Sequence, residues 1–373
     1  MNRIYEGAST FSKMHRNYPD GIPNCVDTCH GQHIYSYGDR GMFDTVSSLG
    51  ARLFDYNSPG GMMSLPYRGE ELLADKLNEL IPCIEMVRYG LNGADSTEGS
   101  IRYARAYTGR TTVLSIGYHS CQSAFTNNTP PALGCIEGGI KVLGTNSDLI
   151  AYLGSNPKDV AAVIMEPVQL DIHVKEELLL IRSMCTNLGI VLIFDEIITG
   201  FRVPSYCISN YLSVTPDIIL LGKAIANGHP LSIIGGRRDI MNRAVFHSYT
   251  FAGYPLAIDE AIKTCKLTET DLLNFWLRSG KFMDDFNRLP YGIKLTGYNT
   301  RGVWVGDDTS KFTLWQDMYN KGTLLGPAFF PRVGWTTEHY DNLYFSMRQS
   351  LEDIQSGKVI LKGSLPQPLF KRT

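Results

Sequence analysis

The hydrophobic pattern of the chain switches repeatedly between two periods. Short, fully apolar runs of branched residues end abruptly in charge or in a turn: Val160 to Met165, Ile190 to Phe194 and Ile218 to Leu221. Such runs predict strands buried on both faces of a parallel sheet. Further strands are expected over Ile84 to Leu91, Thr111 to Ile116 and Ser232 to Gly235. Between them the spacing becomes helical. Leu72, Leu73, Leu77, Leu80 and Ile81 follow an acidic first turn and predict a packing helix from Tyr67 to Pro82. Helices are also expected from the turn at Asn92 to Ser96 as far as Tyr107, over Asp148 to Leu153, and from Glu176 to Asn187, closing on Gly189 as a C-cap. This alternation predicts an α/β fold with helices on both faces of the sheet. The ends differ. His33 to Asp44 reads as a β-hairpin across Gly38-Asp39-Arg40-Gly41. Beyond Lys266 the pattern gives a helix to Phe286, strands near Ile293–Leu295 and Val303–Val305, and helices over Lys311–Lys321 and Thr337–Ser356.

The charges at the strand ends carry the chemistry. Side chains just past the carboxyl ends of parallel strands face the crevice where open α/β sheets bind ligands. The run Ile190 to Phe194 delivers Asp195 there, and Asp217 to Gly222 delivers Lys223. A lysine amine and a buried carboxylate meet the needs of pyridoxal phosphate. The amine holds the aldehyde as a Schiff base, and the acid keeps the ring nitrogen protonated so that the ring draws electrons. Taken singly, Asp195-Glu196 is also compatible with a helix cap and Lys223 with a solvated helix start.

Other strand ends add to the same edge. Asn92-Gly93-Ala94-Asp95 joins a strand to a helix N-terminus, where free backbone N–H groups favour an anion; a capped helix without a ligand would read the same way. Gly117-Tyr118-His119-Ser120 places an aromatic ring where it can stack on a planar cofactor, or simply line the rim. Glu166-Pro167 ends the strand at Met165.

Phe194-Asp195-Glu196-Ile197-Ile198-Thr199-Gly200-Phe201-Arg202 closely resembles a signature of the class III aminotransferases, and Thr215 to Lys223 resembles their lysine segment. Ile84 to Arg88 and Arg105 to Arg110 are similar, in order and spacing, to the glutamate-1-semialdehyde 2,1-aminomutases within that class. The resemblance covers residues 55 to 265 well and both ends loosely. It implies a fold-type I, pyridoxal phosphate-dependent transferase with a seven-stranded, mainly parallel sheet. The expected organisation is an N-terminal segment of a small lobe at 1–60, a large cofactor-binding domain at 61–265 and a C-terminal small domain at 266–373. It further implies amino transfer catalysed by Lys223 and Asp195. Gly93, Ala94 and Asp95 are expected at the phosphate, Tyr118 and His119 at the ring, and Glu166 in the pocket. Tyr249 to Pro255 is similar to a motif whose Thr, here Thr250, reaches the neighbouring subunit's cofactor, so a homodimer is expected. The departures are Ala94 in place of a hydroxyl residue, Tyr249 and Tyr254 in place of Gly and Asn, and a short loop over Gln122 to Ile140. That shortening leaves open intramolecular (aminomutase) against intermolecular transfer. Decarboxylation, racemisation and an inactive homologue are the remaining alternatives. Arg301 and Arg332 are both candidates for a carboxylate clamp.

Composition narrows the rest. The 373 residues carry a formal charge of −2, which gives no basic footprint for nucleic acid or an anionic membrane. No apolar stretch reaches the ~20 residues of a spanning helix. Eight cysteines at uneven spacing suggest reduced thiols in a cytoplasm. Cys25, Cys29, His30 and His33 fall within nine residues, but without a second cluster no metal site is expected.

Overall fold

A computed structural model describes residues 18–22, 28–30, 33–35, 41–45, 68–126, 135, 139–243, 245–247, 249 and 251–367. The chain divides into two compact units, 58–273 and the pair of segments 1–57 and 274–373. The division points fall at Asn57/Ser58 and Leu273/Asn274.

The central unit is built on a seven-stranded sheet. Its strands are β1 (Met86–Gly90), β2 (Thr112–Ile116), β3 (Ile140–Leu143), β4 (Val160–Met165), β5 (Val191–Asp195), β6 (Ile218–Gly222) and β7 (Ser232–Gly236). Their order across the sheet is β1-β7-β6-β5-β4-β2-β3. β7 runs antiparallel to both neighbours, and the other pairings are parallel. Because β7 reverses twice, β1 points the same way as β6. The carboxyl ends of β1, β2, β4, β5 and β6 therefore share one edge.

Burial explains the pattern. Every residue of β4, β5, β6 and β7 is buried, as expected for strands covered on both faces. The helices are α1 (Arg68–Leu80), α2 (Gly93–Thr108), α3 (Asn146–Gly154), α4 (Lys175–Leu188) and α5 (Pro255–Thr264). α2 packs along β7, β6 and β4, and its Ile101 and Ala104 join Ile164, Ile193 and Ile234 in one core. α4 ends on Gly189 in the left-handed region, φ 62°, a position where Gly carries no Cβ penalty.

Three features depart from the sequence-based expectation. β3 forms the sheet's outer strand where only a loop was expected up to Ile140; Lys141 and Val142 are exposed there, so the hydrophobic signal is weak. α5 begins at Pro255, inside what reads as the end of a loop motif, because proline fits the first helical position. The following helix starts at Glu269 rather than Lys266.

In the other unit, strands Thr28–His30, His33–Tyr35 and Met42–Asp44 pair antiparallel, and Thr323–Leu324 adds in parallel to Met42–Asp44. Lys294–Tyr298, Arg301–Val305 and Ala328–Phe329 form a second small sheet. Aromatic packing of Phe286, Trp304, Phe329 and Trp335 fills its core. The backbones of His30 and His33 pair in register across the first hairpin, and His33 lies edge-on to Phe43; Cys25 falls outside the described residues.

Candidate active site

The shared carboxyl edge collects the candidate residues. Asp195 is the last residue of β5 and pairs in register with Leu220 of β6, whose carbonyl accepts the Glu196 N–H at 3.0 Å. Lys223 follows three residues later, where β6 turns into a one-turn 3-10 helix over Lys223–Ala226. Its φ of 48° lies in the left-handed region, which costs a non-glycine residue on the order of 1–3 kcal/mol and recurs at functional sites.

Asp195 is 6% exposed. Its Oδ2 accepts from His119 Nδ1 at 2.8 Å and its Oδ1 from the Ile197 N–H at 3.1 Å. His119 Nε2 faces the Ile116 carbonyl at 2.8 Å. Both ring nitrogens thus meet acceptors, and satisfying both requires a doubly protonated ring. Burial opposes that charge. The Asp195 carboxylate, helped by Glu166 and the Ile116 carbonyl, outweighs it and holds His119 above the ordinary histidine value. His119 therefore reaches the site through Asp195.

At the next turns, Gly117 has φ 93°, and a Cβ there would lie 2.8 Å from Gln169 Nε2 and 3.6 Å from Glu166 Oε1. The turns after β2 and β4 are thus in contact, which puts Glu166 at the same edge. Tyr118 stands 38% exposed on this rim.

The turn after β1 is tightly capped. Asn92 Oδ1 accepts the Asp95 N–H at 3.2 Å, while Asp95 Oδ2 accepts the Leu91 and Asn92 N–H groups at 2.8 and 3.2 Å. The Ser96 and Thr97 hydroxyls donate back to the Gly93 and Ala94 carbonyls. Helix geometry leaves the N–H groups of Gly93 and Ala94 for an anion. Gly93 permits the close approach, since a Cβ there would sit 2.9 Å from Ile197 Cδ1. Ile197 also lies 3.3 Å from where a Cβ on Gly222 would be, just before Lys223. One apolar side chain thus adjoins the phosphate turn, the Asp195 strand and the lysine strand.

These residues fit pyridoxal phosphate. An anion cradle, a buried carboxylate and a lysine converge on one edge, beside an apolar side chain that suits a flat ring. A glycine opens the cradle where a Cβ would collide.

Known proteins resemble the chain in the same sense. The Aminotransferase class-III family model matches residues 143–283. The glutamate-1-semialdehyde 2,1-aminomutase of Methanocaldococcus jannaschii is 28% identical over 378 residues, covering 88% of each chain. The chain is thus similar to a class III aminotransferase model over those residues and to an aminomutase over most of its length. Among solved structures, the FumI protein of Sphingopyxis sp., in its PLP internal aldimine form, superposes with a TM-score of 0.83 at 20% identity, covering 95% of this chain and 94% of that one. A glutamate-1-semialdehyde-aminomutase from Pseudomonas aeruginosa gives 0.77 at 16% identity, covering 91% and 90%. The chain shares the fold of these two structures.

Thr250 and residues 127–134 of the short loop lie outside the described residues. Arg301 and Arg332 are both buried in the unit formed by the two termini. His119's role as the partner of Asp195 was not visible in the sequence, since 76 residues separate the two. A cavity of about 890 Å³ opens at the opposite, amino edge, lined by Arg182, Asp217 and Arg237 among others. Their charges close on one another, so this cavity is not where the reactive groups converge.

Proposed function

We propose that this chain is a pyridoxal phosphate-dependent aminotransferase that moves an amino group from an amine donor to a carbonyl acceptor. The observation that carries the reading is the strand register that brings Asp195, held by His119, beside the strand leading into Lys223. When bound, the cofactor supplies an aldehyde that exchanges with amines and a ring that delocalises charge from the reacting carbon.

The protein's own residues divide the rest of the work. Lys223 would hold the cofactor through its amine and, when that amine is free, would move a proton as general base. Asp195, fixed by two donors, would present its remaining lone pairs to the ring nitrogen. His119 positions that carboxylate. The N–H groups of Gly93 and Ala94 bind phosphate at the positive end of α2. Tyr118 and Ile197 would line the place of the ring, and Glu166 the pocket.

The chain acts as a homodimer in this reading, with the partner subunit's Thr250 completing the phosphate site. Phe246 and Phe251, 80% and 53% exposed on either side of that position, suit burial against a second copy. Aminomutase activity is the second reading, and the naming of the Methanocaldococcus jannaschii relative favours it.

The test is a visible spectrum of the purified protein with pyridoxal phosphate, before and after adding a panel of amines and amino acids. Conversion to the amine form of the cofactor by some donor, reversed by a carbonyl acceptor, is expected. Release of carbon dioxide or racemised amino acid without cofactor conversion would overturn amino transfer.

A further inference from the structure

Ser232 is the first residue of β7, fully buried, and its Oγ has no hydrogen-bond partner. Buried hydroxyls are rarely left so. Its position indicates what it could bind. Ser232 pairs in register with Gly90 of β1 on one side and Gly222 of β6 on the other. Residues directly opposite in neighbouring strands share a face of the sheet. The hydroxyl therefore sits in a slot between two residues without side chains, at the carboxyl edge.

That slot opens on the anion cradle. A Cβ on Gly90 would lie 2.8 Å from Ser232 Oγ and 2.9 Å from Asp95 Cβ, so the hydroxyl adjoins the first turn of α2. On the other side, a Cβ on Gly222 would contact Ile197, the side chain that also meets Gly93. The first turn offers no hydroxyl donor. Ala94 has none, the Ser96 and Thr97 hydroxyls donate to the helix backbone, and Asn92 at the cap brings only its amide, whose oxygen is taken by the Asp95 N–H.

We infer that Ser232 donates to the cofactor's phosphate from below the turn, directly or through one water, supplying from β7 the hydroxyl that position 94 lacks. This rests on the proposed cofactor site and adds a phosphate-binding residue to it.

Titrations of wild type, Ser232→Ala, and Ser232→Ala combined with Ala94→Thr test it, using pyridoxal phosphate and pyridoxal, which has no phosphate. A hydrogen bond to a charged group contributes about 1.5–3 kcal/mol, so Ser232→Ala should weaken pyridoxal phosphate binding by about 10- to 100-fold. Its affinity for pyridoxal should stay the same, and Ala94→Thr should restore most of the loss. Inorganic phosphate should raise the melting temperature of wild type more than that of Ser232→Ala. Equal weakening of both ligands would mean a structural role, and no weakening of either would mean a hydroxyl satisfied by water alone; each overturns the inference. Should Ser232→Ala fail to fold, Ser232→Cys, nearly isosteric with a weak donor, carries the same comparison. If wild type itself develops no visible absorbance that depends on Lys223, the proposed function falls as a whole. Normal wild-type absorbance with an indifferent Ser232→Ala removes this inference alone.

Discussion

Two buried aspartates at opposite ends of neighbouring strands show how one sheet separates chemistry from architecture. Asp217, just before β6 at the amino edge, accepts from Arg182 Nη1 and Arg237 Nη1 at 2.8 Å each and from the Leu192 N–H at 2.8 Å. Two cations and an amide close its charge. Asp195, at the carboxyl end of β5, receives one backbone N–H and one imidazole, which leaves acceptor capacity facing the edge where Lys223 emerges. Both carboxylates are 6% exposed. What separates them is how completely their surroundings satisfy them. A saturated carboxylate fixes a fold, and one with room for a further donor can serve a ligand.

Substitutions at the two ends should separate activity from stability. The largest effect belongs to Lys223→Ala. Losing the anchor and the general base should lower amino transfer by on the order of 1,000-fold, with the melting temperature little changed because alanine keeps the same Cβ at the positive φ. Steady-state rates beside a thermal melt check both halves. Asp195→Asn should cost roughly 100-fold in turnover, a scale typical of losing one preorganised electrostatic partner. It should also move His119 from above to below the ordinary histidine pKa, since burial would then act without its counter-charge. Proton NMR of the ring across pH would register the reversal, and an unmoved titration would break the assigned coupling.

At the other end the expectation inverts. Asp217→Asn should destabilise by about 2 kcal/mol, less than the 3–5 kcal/mol of a fully buried pair because Arg237 is 43% exposed, while leaving the cofactor spectrum unchanged. A spectral change in that variant would erase the distinction between the two edges. Glu196 stands between these extremes. Next to Asp195 in sequence, it takes the N–H groups of Ile208 and Ser209 and the Thr199 hydroxyl, so it caps the short helix over Ile208–Leu212. Glu196→Gln should cost about 1–3 kcal/mol in denaturant unfolding with a smaller loss of turnover.

The smallest effect is one of pH. His119 has a raised pKa in the folded chain, so the stability it contributes is complete below its unfolded value. That contribution is lost as pH rises through the folded value. Chemical denaturation across this window should show a decline that is absent in His119→Gln.

Much of this was legible in the sequence because the central strands are apolar without interruption. Val160–Met165 is assigned to the residue, and the charges ending Ile190–Phe194 and Ile218–Leu221 mark the reactive edge without any structure. Signals failed where a physical cue was shared or diluted. β3 is an outer strand with two exposed residues of four. The proline opening α5 reads equally well as the close of a loop. The pairing of His119 with Asp195, and the unsatisfied hydroxyl of Ser232 between Gly90 and Gly222, depend on strand order. Local patterning carries no information about which strands become neighbours.

The central claim is that Lys223 and Asp195 serve one cofactor at the carboxyl edge. Borohydride reduction of the protein loaded with pyridoxal phosphate, followed by peptide mapping, tests it most directly. A pyridoxyl group on Lys223, formed in wild type and lost from the map in Lys223→Ala, is the predicted result. A label on another lysine, or none on Lys223 despite visible cofactor absorbance, would contradict it.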